Sequence, residues 1–95
     1  MSEHAQTVAD AAQAAYFRLR LLHERCDLAA MLAKHTKSLT RCMTERDMRP
    51  MSDIRRHIRT IERELQSIDR MVEALDDRFP DQAATTESEP TRRRA

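Results

Sequence analysis

A chain of 95 residues holds one small domain at most, and a domain that small buries a modest share of its surface, so its core is marginal unless a second chain adds to it. Gly is absent, Pro occurs three times, the aromatics are Tyr16, Phe17 and Phe79, and 35% of the residues are charged, which disfavours sheets and excludes any Gly-rich phosphate loop. Formal net charge is only +1, but residues 1–17 carry −2, residues 18–63 carry +6, residues 64–89 carry −6 and residues 90–95 carry +3, so the charge is segregated along the chain.

Residues 1–15 include Glu3 and Asp10, lack a basic start and contain no long apolar run, so they resemble neither a signal peptide nor a membrane span. A first helix is expected over about residues 5–46, a stretch without Gly or Pro that is rich in Ala, Leu, Arg, Lys and Met. It carries two apolar strips. Val8, Ala12, Ala15, Leu19, Leu22, Cys26, Ala29 and Ala33 form a seam that can face a second helix, while Phe17, Leu21, Leu28, Leu32, Leu39 and Cys42 lie beside it. Cys26 and Cys42 on one helix stand about 24 Å apart at 1.5 Å per residue, beyond disulfide reach, and a reduced, cytoplasmic protein is expected.

The break comes at residues 47–52, Asp-Met-Arg-Pro-Met-Ser, where Pro50 disfavours helix at Arg49 and Asp47 or Ser52 can cap a new start. The second helix, about residues 52–79, carries the clearest pattern in the chain. Ile54, Ile58, Ile61, Leu65, Ile68, Val72, Leu75 and Phe79 are spaced by alternating four and three and form one continuous seam. Pro80 then opens a polar tail, residues 80–95, with almost no large apolar side chain and the composition of a disordered segment.

A short turn between long helices returns the chain as an antiparallel neighbour. Folding at Pro50 sets Ile54 near Met43, Ile61 near Thr36, Ile68 near Ala29 and Ala30, Leu75 near Leu22 and Phe79 near Leu19, and it lays the acids Glu64, Asp69, Glu73, Asp76 and Asp77 beside Arg18, Arg20, Arg25 and Lys34. The expected architecture is therefore an all-α, coiled-coil-like antiparallel hairpin over residues 1–79. A two-helix hairpin cannot cover both strips of the first helix, whose Ala-rich start also outruns the second, and exposed apolar area of this kind marks an interface. Val8, Ala12, Phe17, Leu21, Leu28, Leu32 and Leu39 are the expected partner surface, and a homodimer closing into a four-helix bundle is the expected assembly.

At the turn end, Lys37, Arg41, Arg46, Arg49, Arg55, Arg56, Arg59 and Arg63 outnumber the nearby acids and form a basic tip, a surface suited to nucleic acid or another anionic partner. It lacks aromatic side chains that would stack on single-stranded bases. His23 and Cys26, three apart, could both reach one metal, but His35 and His57 lie too far along the chain to join them, and no Glu-x-x-His occurs; no metal, cofactor or small-molecule substrate is expected. The run Leu21-Leu22-His23-Glu24-Arg25-Cys26-Asp27-Leu28-Ala29, with Lys34 and Lys37 after it, resembles the first long helix of the small all-helical chorismate mutases, intertwined dimers of similar length. The likeness covers under a fifth of the chain. It implies a dicarboxylate pocket holding Arg25 and Lys37. The chain departs from that pattern where it is apolar around Val8, reads Met51-Ser52-Asp53-Ile54 in place of a charged cluster, and meets Pro80 where a third helix would lie. Functional expectations thus run from a self-associating protein-interaction module (adaptor, assembly factor or regulator), through a nucleic-acid-binding regulator using the tip, to a remote helical enzyme.

Overall fold

The computed structural model describes residues 2–80, with side chains from residue 5 onward; the tail expected from residue 80 lies, apart from Pro80, outside the described residues. Two helices, α1 (Ser2–Glu45) and α2 (Met51–Arg78), pack against each other, and no strand occurs among the described residues. Three cross-helix pairs, Arg18–Asp76, Arg25–Asp69 and His35–His57, descend one helix while climbing the other, so the hairpin is antiparallel. α1 is sixteen residues the longer, 44 against 28, and its N-terminal segment runs on past the end of α2.

The turn is built from backbone. The Asp47 N–H donates to the Cys42 carbonyl at 2.9 Å and the Arg46 N–H to the Met43 carbonyl at 3.3 Å, the paired bonds of a Schellman ending. That ending requires a left-handed residue, and Arg46 supplies it with φ 57°, a conformation that disfavours a side chain bearing Cβ. Pro50, at φ −83°, caps α2 and its carbonyl accepts from the Ile54 N–H at 3.0 Å. Neither Asp47 nor Ser52 acts as the expected side-chain cap, because the cap position falls on Pro50, which has no side-chain acceptor. Asp53 in the first turn of α2 places negative charge at the positive end of the helix dipole.

The core consists of Leu21, Leu28, Ile61 and Ile68, with Leu32, Leu65, Val72 and Leu75 packed against it. Ala14, Cys42 and Met51 are also buried. On α2 the buried and half-buried positions follow the expected seam, extended by one step to Met51, with Thr60 and Asp76 half-buried beside it. On α1 they do not. The positions turned toward α2 are Ala14, Arg18, Leu21, Arg25, Leu28, Leu32, His35, Leu39 and Cys42, again at alternating four and three, but three of the nine are polar. This corrects two expectations. Leu21, Leu28 and Leu32 are hairpin core rather than partner surface, with Leu39 half-buried beyond them, and the Val8–Ala33 seam faces away from α2 with Val8 56% and Leu19 63% exposed.

Side-chain size and charge explain the choice. Along the length of α2 the chosen face offers four Leu against two on the other, and each Leu buried in place of Ala removes several carbons from water, on the order of 2 kcal/mol. Its polar positions are satisfied: Arg18 and Arg25 each meet an Asp, and the His35 ring stacks on His57 at 5.3 Å between centroids. The same contacts slide α2 about one turn along α1 from the expected register, placing Asp69 at Arg25 rather than beside Leu28.

Candidate functional site

Two features of the hairpin remain once its core is accounted for. The first is the uncovered face of α1. A helix with apolar residues on one side is strongly amphipathic, as α2 is; α1 is only weakly so, because apolar residues occupy two directions. The uncovered seam runs Val8, Ala12, Ala15, Leu19, Leu22, Cys26, Ala29 and Ala33, then continues at the same spacing through Thr36, Thr40 and Met43. All are exposed except Ala15 and Leu22, which are half-buried. Thr36 and Thr40 suit such a face, because their hydroxyls donate to the carbonyls of Leu32 at 2.8 Å and Thr36 at 3.1 Å, which satisfies the polar atom within the helix. Of the expected partner surface, Val8, Ala12 and Phe17 are exposed, but Phe17 belongs to another side of α1, where it lines a groove with Asp10, Ala14, Leu75 and Phe79 at the end of α2.

Arg18 and Arg25 edge the inward seam of α1 on the flank next to the uncovered one. Arg18 is buried and donates to Asp76 from two of its nitrogens, Nε at 2.6 Å and Nη2 at 3.2 Å. Arg25 donates from Nε to Asp69 at 2.7 Å with both side chains about half exposed, and that hydrogen bond, with the carboxylate charge, raises the guanidinium pKa above its ordinary value. Arg25 is the residue that the chorismate mutase likeness would send to a dicarboxylate; in the hairpin it is engaged by Asp69.

The second feature is the tip. Lys37, Arg41, Arg46, Arg49, Arg55, Arg56, Arg59 and Arg63 are all exposed, on both helices and the turn between them. Of these, Arg56 reaches Asp53 at 3.8 Å, a loose pair within one turn of α2, and Arg63 donates to the Thr60 hydroxyl at 3.4 Å. Arg46 additionally serves the turn through its backbone. Such exposed cations contribute little to stability and leave their charge available to a partner.

His23 and Cys26 are both exposed on α1, and His35 and His57 form a separate pair; among the described residues no three His, Cys, Asp or Glu side chains converge where they could hold a metal ion. No helix among those residues is long and apolar enough to cross a membrane. Sequence reasoning missed Arg18, Arg25 and His35 as seam positions, although their spacing from Leu21, Leu28 and Leu32 was a readable signal. No protein-family model matches the chain, and no match is found among curated proteins or solved structures.

Proposed function

We propose that the chain is a helical-hairpin interaction module that self-associates and works as an adaptor, assembly factor or small regulator. The observation that carries this reading is the apolar face of α1, which α2 leaves uncovered along most of the helix and which includes Val8, Leu19 and Met43, each more than half exposed. Apolar side chains at seam spacing over that length gain free energy only against another surface, and exposed apolar area of this extent is a mark of protein interfaces. Light scattering on the eluting full-length chain tests the reading: a mass above that of one chain at micromolar concentration supports it, and a monomer at all accessible concentrations opposes it.

A second reading has its own support. The eight exposed cations of the tip favour an anionic partner, nucleic acid first, with the hairpin presenting Arg side chains to phosphates. Its test is salt-dependent binding of a short duplex that weakens when Arg56, Arg59 and Arg63 are changed together to Glu.

A further inference from the structure

The geometry points to a second copy of this chain, laid antiparallel, as the occupant of the uncovered α1 face, with the contact extended by a charged edge of α2. The inference rests on the self-association reading above and specifies its surface and orientation.

Three observations converge on it. The first is where the edge of α2 lies. Asp69 and Asp76 reach Arg25 and Arg18, which edge the inward seam of α1 on the flank next to the uncovered one, so the side of α2 bearing these acids flanks the same side of the hairpin as the uncovered seam. That side continues at seam spacing as Arg55, Arg59, Glu62, Gln66, Asp69, Glu73 and Asp76: basic at the two positions nearest the turn and acidic from Glu62 to the open end, with the neutral Gln66 midway. The outer positions of such a row are complementary to themselves only when it is reversed. Turned about Gln66, it sets Arg59 against Glu73 and Arg55 against Asp76 of the second copy, with Glu62 and Asp69 beside the centre as the one like-charged pair. Laid parallel, it sets like charge on like.

The second observation is the fit of the apolar seam in that same setting. Antiparallel helices pair alternate seam positions, and the reversal that centres α2 near Gln66 brings Ala12 opposite Met43, Ala15 opposite Thr40, Leu19 opposite Thr36, Leu22 opposite Ala33 and Cys26 opposite Ala29 of the second copy. Each pair sets a small or short side chain against another residue of the seam, which allows the helices a close approach. Every one of these residues falls on the uncovered face.

The third is the unequal length of the helices. Residues 34–63 carry net +5 and residues 64–80 net −3, so the hairpin is a dipolar rod. The antiparallel copy holds the two basic tips apart and sets the turn of each chain beside the N-terminal overhang of α1 in the other, the segment that α2 is too short to accompany. Asp10 in that overhang then lies level with the Arg-rich turn. The product is a closed four-helix bundle in which one chain's missing neighbour is supplied by the other.

Sedimentation equilibrium of the full-length chain tests this, with three variants read beside it. The parent is expected to sediment at twice 11.1 kDa. Leu19→Glu, at a position with no part in the hairpin core, should raise the dissociation constant at least tenfold while the helical content is kept. Arg59→Glu and Glu73→Arg should each weaken association by about the same factor, and the double reversal Arg59→Glu/Glu73→Arg should restore it to within threefold. A parent that stays monomeric, as expected if the face serves an unrelated partner, overturns both this arrangement and the self-association beneath it. A dimer that ignores Leu19→Glu, or that the double reversal fails to restore, overturns the arrangement alone and leaves self-association standing.

Discussion

Two ion pairs of the same chemistry cross the hairpin one heptad apart, and their burial predicts different values for them. Arg18 binds Asp76 through two nitrogens with side chains 11% and 26% exposed, whereas Arg25 binds Asp69 with side chains 46% and 54% exposed. Removing Arg18 leaves the Asp76 carboxylate without its two charged donors in a site that water reaches poorly. It also takes the mostly buried Arg stem out of the seam, where it stands between the Ala14 and Leu21 positions. Together these put the cost of Arg18→Ala at about 2–3 kcal/mol. Removing Arg25 exposes Asp69 to solvent that already hydrates it, and Arg25→Ala should leave stability close to that of the parent. At roughly 4–8 °C per kcal/mol for a chain this size, the first variant should melt at least 8 °C below the parent and the second within about 4 °C. Thermal and urea melts followed by far-ultraviolet circular dichroism at one fixed protein concentration measure both. Replacing both partners, Arg18→Leu/Asp76→Leu, removes the unpaired charge and should return stability to within about 1 kcal/mol of the parent. Equal losses for the two single variants would refute the claim that burial sets the value of these pairs. A double variant as unstable as Arg18→Ala would refute the unpaired carboxylate as the cause.

Ile68→Asp puts a carboxylate at a position 4% exposed among Leu21, Leu28 and Ile61, and should destabilise the hairpin by several kcal/mol; an unchanged melting temperature would show that the seam is not buried. Arg63→Asp, on an exposed face with only a weak bond to Thr60, should leave that temperature within about 2 °C of the parent. Arg46→Gly relieves the left-handed Arg46 and should stabilise the fold by about 0.5–1 kcal/mol, read as a rise in urea midpoint without a change in slope. Deleting residues 1–12 removes the overhang of α1 and should weaken self-association by far more than it reduces helical content per residue, a contrast that sedimentation and circular dichroism together resolve.

The sequence by itself determined the elements. Absence of Gly, a single Pro within residues 5–79 with a polar approach, and an unbroken seam from Ile54 to Phe79 specify two helices, their break and the face that α2 buries, because each of these signals is local and does not depend on what lies opposite. The segregation of charge along the chain was equally legible, and with it the sign of the tip and the pairing of acidic α2 with basic α1. What only the tertiary structure decided is which of two faces α1 turns inward. Read as apolar residues alone, the Val8–Ala33 strip is the more regular and the inward face looks broken, because Arg18, Arg25 and His35 occupy seam positions. An Arg in a seam counts against burial until its acceptor is known, and the acceptors Asp76 and Asp69 lie some fifty residues away. With those partners in place the interrupted strip becomes the better face: it carries the larger side chains and no uncompensated charge. The regular strip is left outward, where it requires a surface that this chain's own fold does not provide.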